Sequence, residues 1–363
     1  MRIVFTIPAP KELYMFRILG ELLKNKGHEI YYLVRDYGPN KEIANHILPN
    51  YITFGKKYFK KAIGKICEML YNAILPLPQL YKIQPDIIVG DAFLGYPSKI
   101  IDIPSIAFID GDPLGIYKII YNCLYLSDVF ITPECNTWRN EKKKIVRYHG
   151  LQELIYLHPK YFKPDPHVLD LMGISRKTSY AILRLSALEM SHDIGLKSIS
   201  KKQLQSILDI LNQHFTVFIS SEKKLEKPFS ELVFKIPSYM FHSALYYSSL
   251  FFSDTASAVE AALLGTPSIQ ISPVNRLNYP VFRNYGYFSY VANYGLMKSV
   301  PCTDTNKILE AIMTLADNSD QYKKKQRKLT EHFINEHIDV AAFSSWFIDS
   351  YPDSLKLYWK SEG

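Results

Sequence analysis

The chain has little cysteine, and none of it is paired in a useful way. Cys67, Cys123, Cys135 and Cys302 are scattered through 363 residues. No two stand at metal-ligand spacing, so a zinc module and a disulfide framework are both excluded, and reduced thiols of a cytoplasmic protein are expected. Long hydrophobic runs are also missing: none approaches the ~20 residues that a membrane-spanning helix needs. MRIVFTIPAPKEL leads directly into a strand, so no signal peptide is expected. No G-x-G-x-x-G follows the first strand, and there is no Walker A lysine, G-x-S-x-G elbow or H-E-x-x-H pair. These absences disfavour NAD enzymes, P-loop NTPases, α/β-hydrolases and zinc proteases. The formal charge of +8 suits anionic ligands or an acidic membrane surface. No helix-turn-helix, zinc, RNA-recognition or KH signature accompanies it, so no nucleic-acid partner is expected.

What the chain does have is rhythm. RIVFTI precedes a helical stretch, KELYMFRILGELLKNKG, closed by Gly27, and the strand EIYYLV follows. PDIIVG, IPSIAFID, SDVFITP and KKIVRYH continue the pattern as short apolar runs rich in β-branched or aromatic residues. A second set starts near Ser179: SYAILRL, FTVFIS, ELVFKIP, SLFFS and SIQIS, with helical intervals such as KKQLQSILDILNQH. Short strands alternating with helices predict a parallel sheet with crossover helices. The proline-rich LIYLHPKYFKPDPHVLDLMGI between the two sets reads as an interdomain connection. The expected organisation is one Rossmann-like domain over 1–165, a second over 166–340, and a C-terminal helix over 341–363. Ligands of such sheets bind beyond the carboxyl ends of the strands.

The most informative stretch is SLFFSDTASAVEAALLGTPSI at 249–269, which reads strand, tight turn, helix, strand. Its first helical N–H groups carry partial positive charge and suit a phosphate. Thr255 and Ser257 add hydroxyls, Asp254 and Ala256 complete the turn, and Glu260 stands one helical turn on, where a carboxylate can accept ribose hydroxyls. The plainer alternative is a core helix capped by Asp254 or Thr255. Arg184, Ser186 and His192 follow the strand SYAILRL. Arginine binds a diphosphate bidentately, and histidine bonds a phosphate or shuttles a proton. Asp91 ends PDIIVG, where it is either a functional carboxylate or a helix cap. Asp110-Gly111-Asp112 ends IPSIAFI and is either a cation-holding triplet or a turn. Glu153 follows another strand end, with no role that its chemistry alone fixes.

Two basic runs need a reading. KKKQRK at 323–328 is expected to be a solvated helix face. In 55–83, Lys56, Lys57, Lys60, Lys61 and Lys65 interleave with Tyr58, Phe59, Ile63, Ile66, Met69 and Leu70. A helix of that pattern lies in a membrane surface or packs on the sheet; both stay open.

Four stretches in this order resemble the family catalogued as domain of unknown function 354: RIVFTIPAPKELYMFRILGELLKNKGHEIYYLVRDYG, YHGLQELIYLHPKYFKPDPHVLDLMGI, LRLSALEMSHD and FFSDTASAVEAALLGTPSI. That family is similar to the GT-B superfamily, beside UDP-N-acetylglucosamine 2-epimerases and nucleotide-sugar glycosyltransferases. The resemblance implies an α/β fold of two facing Rossmann-like domains with parallel sheets and an interdomain cleft. It implies that the second domain holds a nucleotide diphosphate and that AAFSSWFIDSY crosses back to the first. Asp254, Thr255, Ser257 and Glu260 match the S-D-S-G-G-x-x-E-E-A motif of the epimerases, with Ala256-Ser257 at the Gly-Gly pair. Asp91 matches the aspartate of their H-G-D-T, Asp110 falls near the glutamate of V-E-A-G, and His192 falls in the loop of their catalytic histidine.

The resulting expectation is a glycosyltransferase using a nucleotide diphosphate sugar, UDP-linked, with no obligatory metal. Arg184, Ser186, Asp254, Thr255, Ala256, Ser257 and Glu260 would bind the nucleotide, and Asp91, Asp110 and His192 would form the catalytic set. The acceptor would be a lipid-linked or other glycan, met at the inner face of the membrane through 55–83. A 2-epimerase-like enzyme and a non-catalytic nucleotide-binding protein are the alternatives.

Overall fold

The computed structural model describes residues 1–55, 71, 74–91, 94–111, 126–139, 144–185, 199–221, 225–273 and 286–362. They fall into two compact units: Met1–Tyr156 with His337–Gly363, and Leu157–Glu336.

In the first unit, β1 (Arg2–Ile7), β2 (Glu29–Arg35), β3 (Ile52–Phe54), β4 (Ile87–Gly90), β5 (Ser105–Phe108), β6 (Val129–Pro133) and β7 (Ile145–Tyr148) make one parallel sheet in the order β3-β2-β1-β4-β5-β6-β7. The central strands are covered on both faces. Ile3, Val4, Phe5 and Ile7 of β1 are fully buried, as are Phe130 and Ile131 of β6. That is why they are unbroken apolar runs rather than alternating ones. The helix Pro10–Lys24 begins with proline, whose missing N–H is not needed there, and buries Leu13, Phe16, Gly20 and Leu23 along one face. The helix Val340–Asp349 packs on it, and Asp349 binds Lys26 at 2.9 Å and His28 at 2.7 Å. The strand order reverses between β1 and β4, which sets the ligand-facing crevice of this sheet. The two strands approach closely just there: a Cβ at Gly90 would lie 1.9 Å from Thr6 Oγ1 and 2.9 Å from the Thr6 carbonyl oxygen. Only glycine fits immediately ahead of Asp91.

In the second unit, β8 (Tyr180–Leu185), β9 (Thr216–Ser221), β10 (Leu250–Ser253), β11 (Ser268–Ser272) and β12 (Lys298–Pro301) make a parallel sheet in the order β12-β11-β10-β8-β9. The helix Lys201–His214 starts on a capping box, Ser200 with Gln203, and lays Leu204, Ile207, Leu208 and Leu211 onto Leu183, Ile219 and Ile271. Here the order reverses between β8 and β10. The helix Ser257–Leu263 follows β10 and stops at Gly265, which has φ +76°. A side chain there would be strained and would also strike Arg327.

Two sequence expectations change. ELVFKIP is not a ladder strand. Phe229–Leu232 forms a single 3-10 turn, and beyond it Val233 makes one bridge to Ile219 while the Phe234 N–H bonds the Ile219 carbonyl. The stretch lies half exposed at the sheet margin between Pro228 and Pro237, with Leu232 and Val233 packed on the edge of the core. KKKQRK is not wholly a solvated face either. On the helix Ser319–Glu336, Lys324, Lys325 and Lys328 are exposed, but Lys323 turns inward and donates to the carbonyls of Tyr247 and Ser248. Burial, with help from Arg327, brings the pKa of Lys323 down to about 7. Among the described residues no helix is long and apolar enough to cross a membrane. The basic, aromatic part of 55–83 lies mostly outside the described residues. Its end, the helix Leu77–Ile83, packs Leu80 and Ile83 inward.

Candidate functional site

Among the described residues of the first unit, several ionisable side chains stand just past the carboxyl ends of strands. Lys11 and Glu12 open the helix after β1, Asp91 follows β4, Asp110 follows β5, and Glu153 lies in the turn after β7. Lys11 Nζ donates to Asp110 Oδ2 at 2.8 Å and to Glu153 Oε1 at 2.7 Å. Glu153 is fully buried and Asp110 half exposed, so one lysine ties an interior carboxylate to one at the surface. Burial disfavours the charge on Lys11, but Asp110 and Glu153 outweigh it and hold its pKa above the ordinary lysine value.

Glu12 behaves differently. Burial pushes its carboxyl up to about 7; Lys11 and a backbone N–H pull it down, and Asp110 and Asp91 push it further up. Among the described residues its Oε2 is buried without a hydrogen-bond partner, and so is the Tyr148 hydroxyl. Burial and then Glu153 raise the Tyr148 pKa well above the usual value. Asp91 and Asp110 therefore sit within one electrostatic cluster, together with a carboxyl poised to exchange a proton near neutrality. Glu12 and Tyr148 were not anticipated. The third of the expected catalytic residues, His192, lies outside the described residues, as does Ser186.

In the second unit the crevice between β8 and β10 gathers the other group. Arg184, near the end of β8, pairs in register with Ser253 at the end of β10. Its Nη1 donates to Ser220 Oγ on β9 at 3.1 Å, and its guanidinium lies 5.1 Å from the centre of the Phe241 ring. The stacked ring and the neighbouring hydroxyl hold the fork in one orientation.

The turn after Ser253 is knitted by hydroxyls. Thr255 N–H donates to Ser253 Oγ at 3.1 Å, and Ser257 N–H donates to Thr255 Oγ1 at 3.3 Å. Asp254 is buried; Thr255, Ala256 and Ser257 are partly exposed. Ala256 has φ −60° and ψ −17°, ordinary right-handed backbone, so this turn needs no glycine. Glu260, on the same short helix, is 12% exposed and lies 3.2 Å from His242 Nε2, itself 5% exposed. A lone histidine in an apolar helix gave no warning of that pair. An arginine fork, small hydroxyls and a carboxylate with a fixed partner make a surface able to hold an anion and a polyol side by side.

Comparison with known proteins agrees with this architecture. No protein-family model matches the chain, and no curated protein matches it in sequence. Solved structures do resemble it. MnaA from S. aureus, solved with UDP, is 14% identical, with a TM-score of 0.60 over 90% of this chain and 91% of that one. The spinosyn rhamnosyltransferase SpnG is 13% identical, with a TM-score of 0.59 over 95% and 99%. UDP-GlcNAc 2-epimerase from Methanocaldococcus jannaschii is 14% identical, with a TM-score of 0.55 over 91% and 100%. At these identities the likeness is one of fold: two Rossmann-like α/β units with parallel sheets, the GT-B architecture.

Proposed function

We propose that this chain is a GT-B-type glycosyltransferase that takes its sugar from a nucleotide diphosphate, UDP-linked, in cell-surface glycan or glycolipid synthesis. The observation that carries this reading is the register of Arg184 with Ser253 at the strand-order reversal of the second sheet, with the 254–257 turn and Glu260 following directly. Parallel α/β sheets take ligands at that point. Arg184, Thr255 and Ser257, with Ser186, Asp254 and Ala256 around them, bind the diphosphate, and Glu260 accepts the ribose hydroxyls. Concentrated positive charge at the departing diphosphate does the work of transition-state stabilisation without an obligatory metal. Asp91, supported by Asp110 and His192, takes the proton of the acceptor hydroxyl. The first unit is the acceptor side. The basic and aromatic residues of 55–83 suit a lipid-linked acceptor at the cytoplasmic membrane face, and membership of the domain of unknown function 354 family rests on the motifs quoted above.

A thermal-shift panel of nucleoside diphosphates tests the reading. UDP should raise the melting temperature, and Glu260→Ala should shrink the shift. If no nucleoside diphosphate stabilises the protein, every nucleotide-sugar reading fails. The grouping of Asp91 and Asp110 around Glu12 favours a second reading, a 2-epimerase-like enzyme, because elimination and re-addition of a diphosphate needs several proton-carrying groups at one sugar. Incubation with UDP-N-acetylglucosamine alone separates the two: epimerisation without an acceptor selects the second.

A further inference from the structure

We propose that His242 is the positioning residue of the ribose-binding carboxylate. Its ring fixes Glu260 and thereby makes the nucleotide site selective for a ribose over a deoxyribose. The inference rests on the nucleotide reading of this site and adds to it a residue that none of the motifs contains.

The geometry is specific. Glu260 is only 12% exposed, on a short helix whose residues Ala258, Val259 and Ala261 are fully buried. A carboxylate that must remain ionised there needs a donor. His242 Nε2 is 3.2 Å from Glu260 Oε1, and since a carboxylate only accepts, Nε2 carries the proton and donates. The ring itself is held. Phe162 meets it edge-on with centroids 6.3 Å apart, and the adjacent Ser243 Oγ accepts the Asp165 N–H at 3.0 Å. The segment 157–166 thus braces the helix Phe241–Tyr247 from outside. A glutamate has three rotatable side-chain bonds, and fixing one oxygen sets the direction in which the carboxylate meets a sugar. A site built to bond a hydroxyl discriminates against the analogue that lacks it.

Calorimetric titration of the full chain with UDP, 2′-deoxy-UDP and 3′-deoxy-UDP tests this. Wild type should bind UDP ~10-fold more tightly than the analogue lacking the contacted hydroxyl. His242→Phe should lose about tenfold in UDP affinity and leave that analogue within about twofold, so the preference collapses. His242→Gln, which keeps an N–H donor, should restore most of it. If His242→Phe does not fold, His242→Asn, polar but too short to reach Glu260, replaces it. Equal weakening of UDP and both analogues means that the histidine only supports the fold, and it overturns the inference. So does a wild-type protein that binds all three alike, although the nucleotide reading then survives. No binding by any nucleoside diphosphate overturns both. If the diphosphate panel selects another base, its ribose and deoxyribose forms replace the uridine compounds.

Discussion

At the carboxyl edge of the first sheet one lysine, Lys11, holds the carboxylates of Asp110 and Glu153, and Glu12 feels Lys11, Asp110 and Asp91. At the same edge of the second sheet an arginine and the hydroxyls of Ser253, Thr255 and Ser257 stand near one histidine-bound carboxylate, Glu260. The two sheets share one plan, parallel strands whose order reverses at the site, so the backbone does not make this difference. The few residues after each strand do. A net negative cluster repels a diphosphate and favours groups that exchange protons, whereas an arginine with hydroxyl donors attracts the diphosphate. On the proposed reading proton handling falls to one unit and anion binding to the other, and that division can be broken.

The largest effect expected is on turnover. Asp91→Asn should lower the rate of sugar-nucleotide consumption by about 10²–10⁴-fold, the usual contribution of a positioned acid–base group, and leave UDP affinity unchanged. A matching loss of UDP affinity, read by calorimetry, would blur the division.

Next is Lys11→Met. It deprives the fully buried Glu153 of its lysine and should cost about 3 kcal/mol of stability, seen as a fall in melting temperature. Proteolysis should find the loss confined to the unit that contains Glu153. Arg184→Ala should follow, weakening UDP binding about 30-fold, close to 2 kcal/mol for a charge-assisted contact, with little change in melting temperature.

Glu12→Gln differs from these in that its effect vanishes at low pH. The carboxyl of Glu12 rises from 4.5 to about 7 on folding, so the folded state holds its proton more tightly. The stability this contributes is complete below about pH 4.5 and disappears as pH rises through about 7. Glutamine mimics the protonated form. The variant should therefore match wild type at about pH 4.5 and exceed it by up to about 3 kcal/mol at pH 8. Melting curves across that range decide it, and a constant difference would show that Glu12 does not titrate there. Exposed Lys324→Gln should change neither melting temperature nor UDP affinity measurably.

Much of the fold was legible in sequence because parallel strands buried on both faces are continuous apolar runs. RIVFTI, SYAILRL, SLFFS and SIQIS all mark strands of the sheets. ITF and KSVP, the short outer strands β3 and β12, carry too little apolar character to stand out, and both are sheet edges. ELVFKIP failed for the opposite reason: it is apolar enough for a strand, but it meets the edge strand β9 in a single bridge before Pro237. That Asp91 and Asp110 stand directly after strands could be read from the apolar runs ahead of them. Glu12 and His242 were not. Glu12 owes its raised pKa first to burial, with Asp110 and Asp91, distant in sequence, adding to it, and His242 becomes informative only when the helix Ser257–Leu263 brings Glu260 against it. The Ala256 turn shows a further limit. The motif has Gly-Gly there, yet the backbone adopted needs none.

The division of the chain into Met1–Tyr156 with His337–Gly363 and Leu157–Glu336 has a consequence for how the protein is made. The second unit is an uninterrupted stretch inserted into the first, and the returning chain is caught at once. The Ile338 N–H bonds the His149 carbonyl at 3.1 Å, and the His337 and His149 rings stack with centroids 4.4 Å apart. On a ribosome the inserted unit emerges complete while the first still lacks the helix Val340–Asp349 that covers Pro10–Lys24. The second unit can thus fold first although it is encoded later, and the seven-stranded sheet receives the helix Val340–Asp349 only after the whole inserted unit has been made.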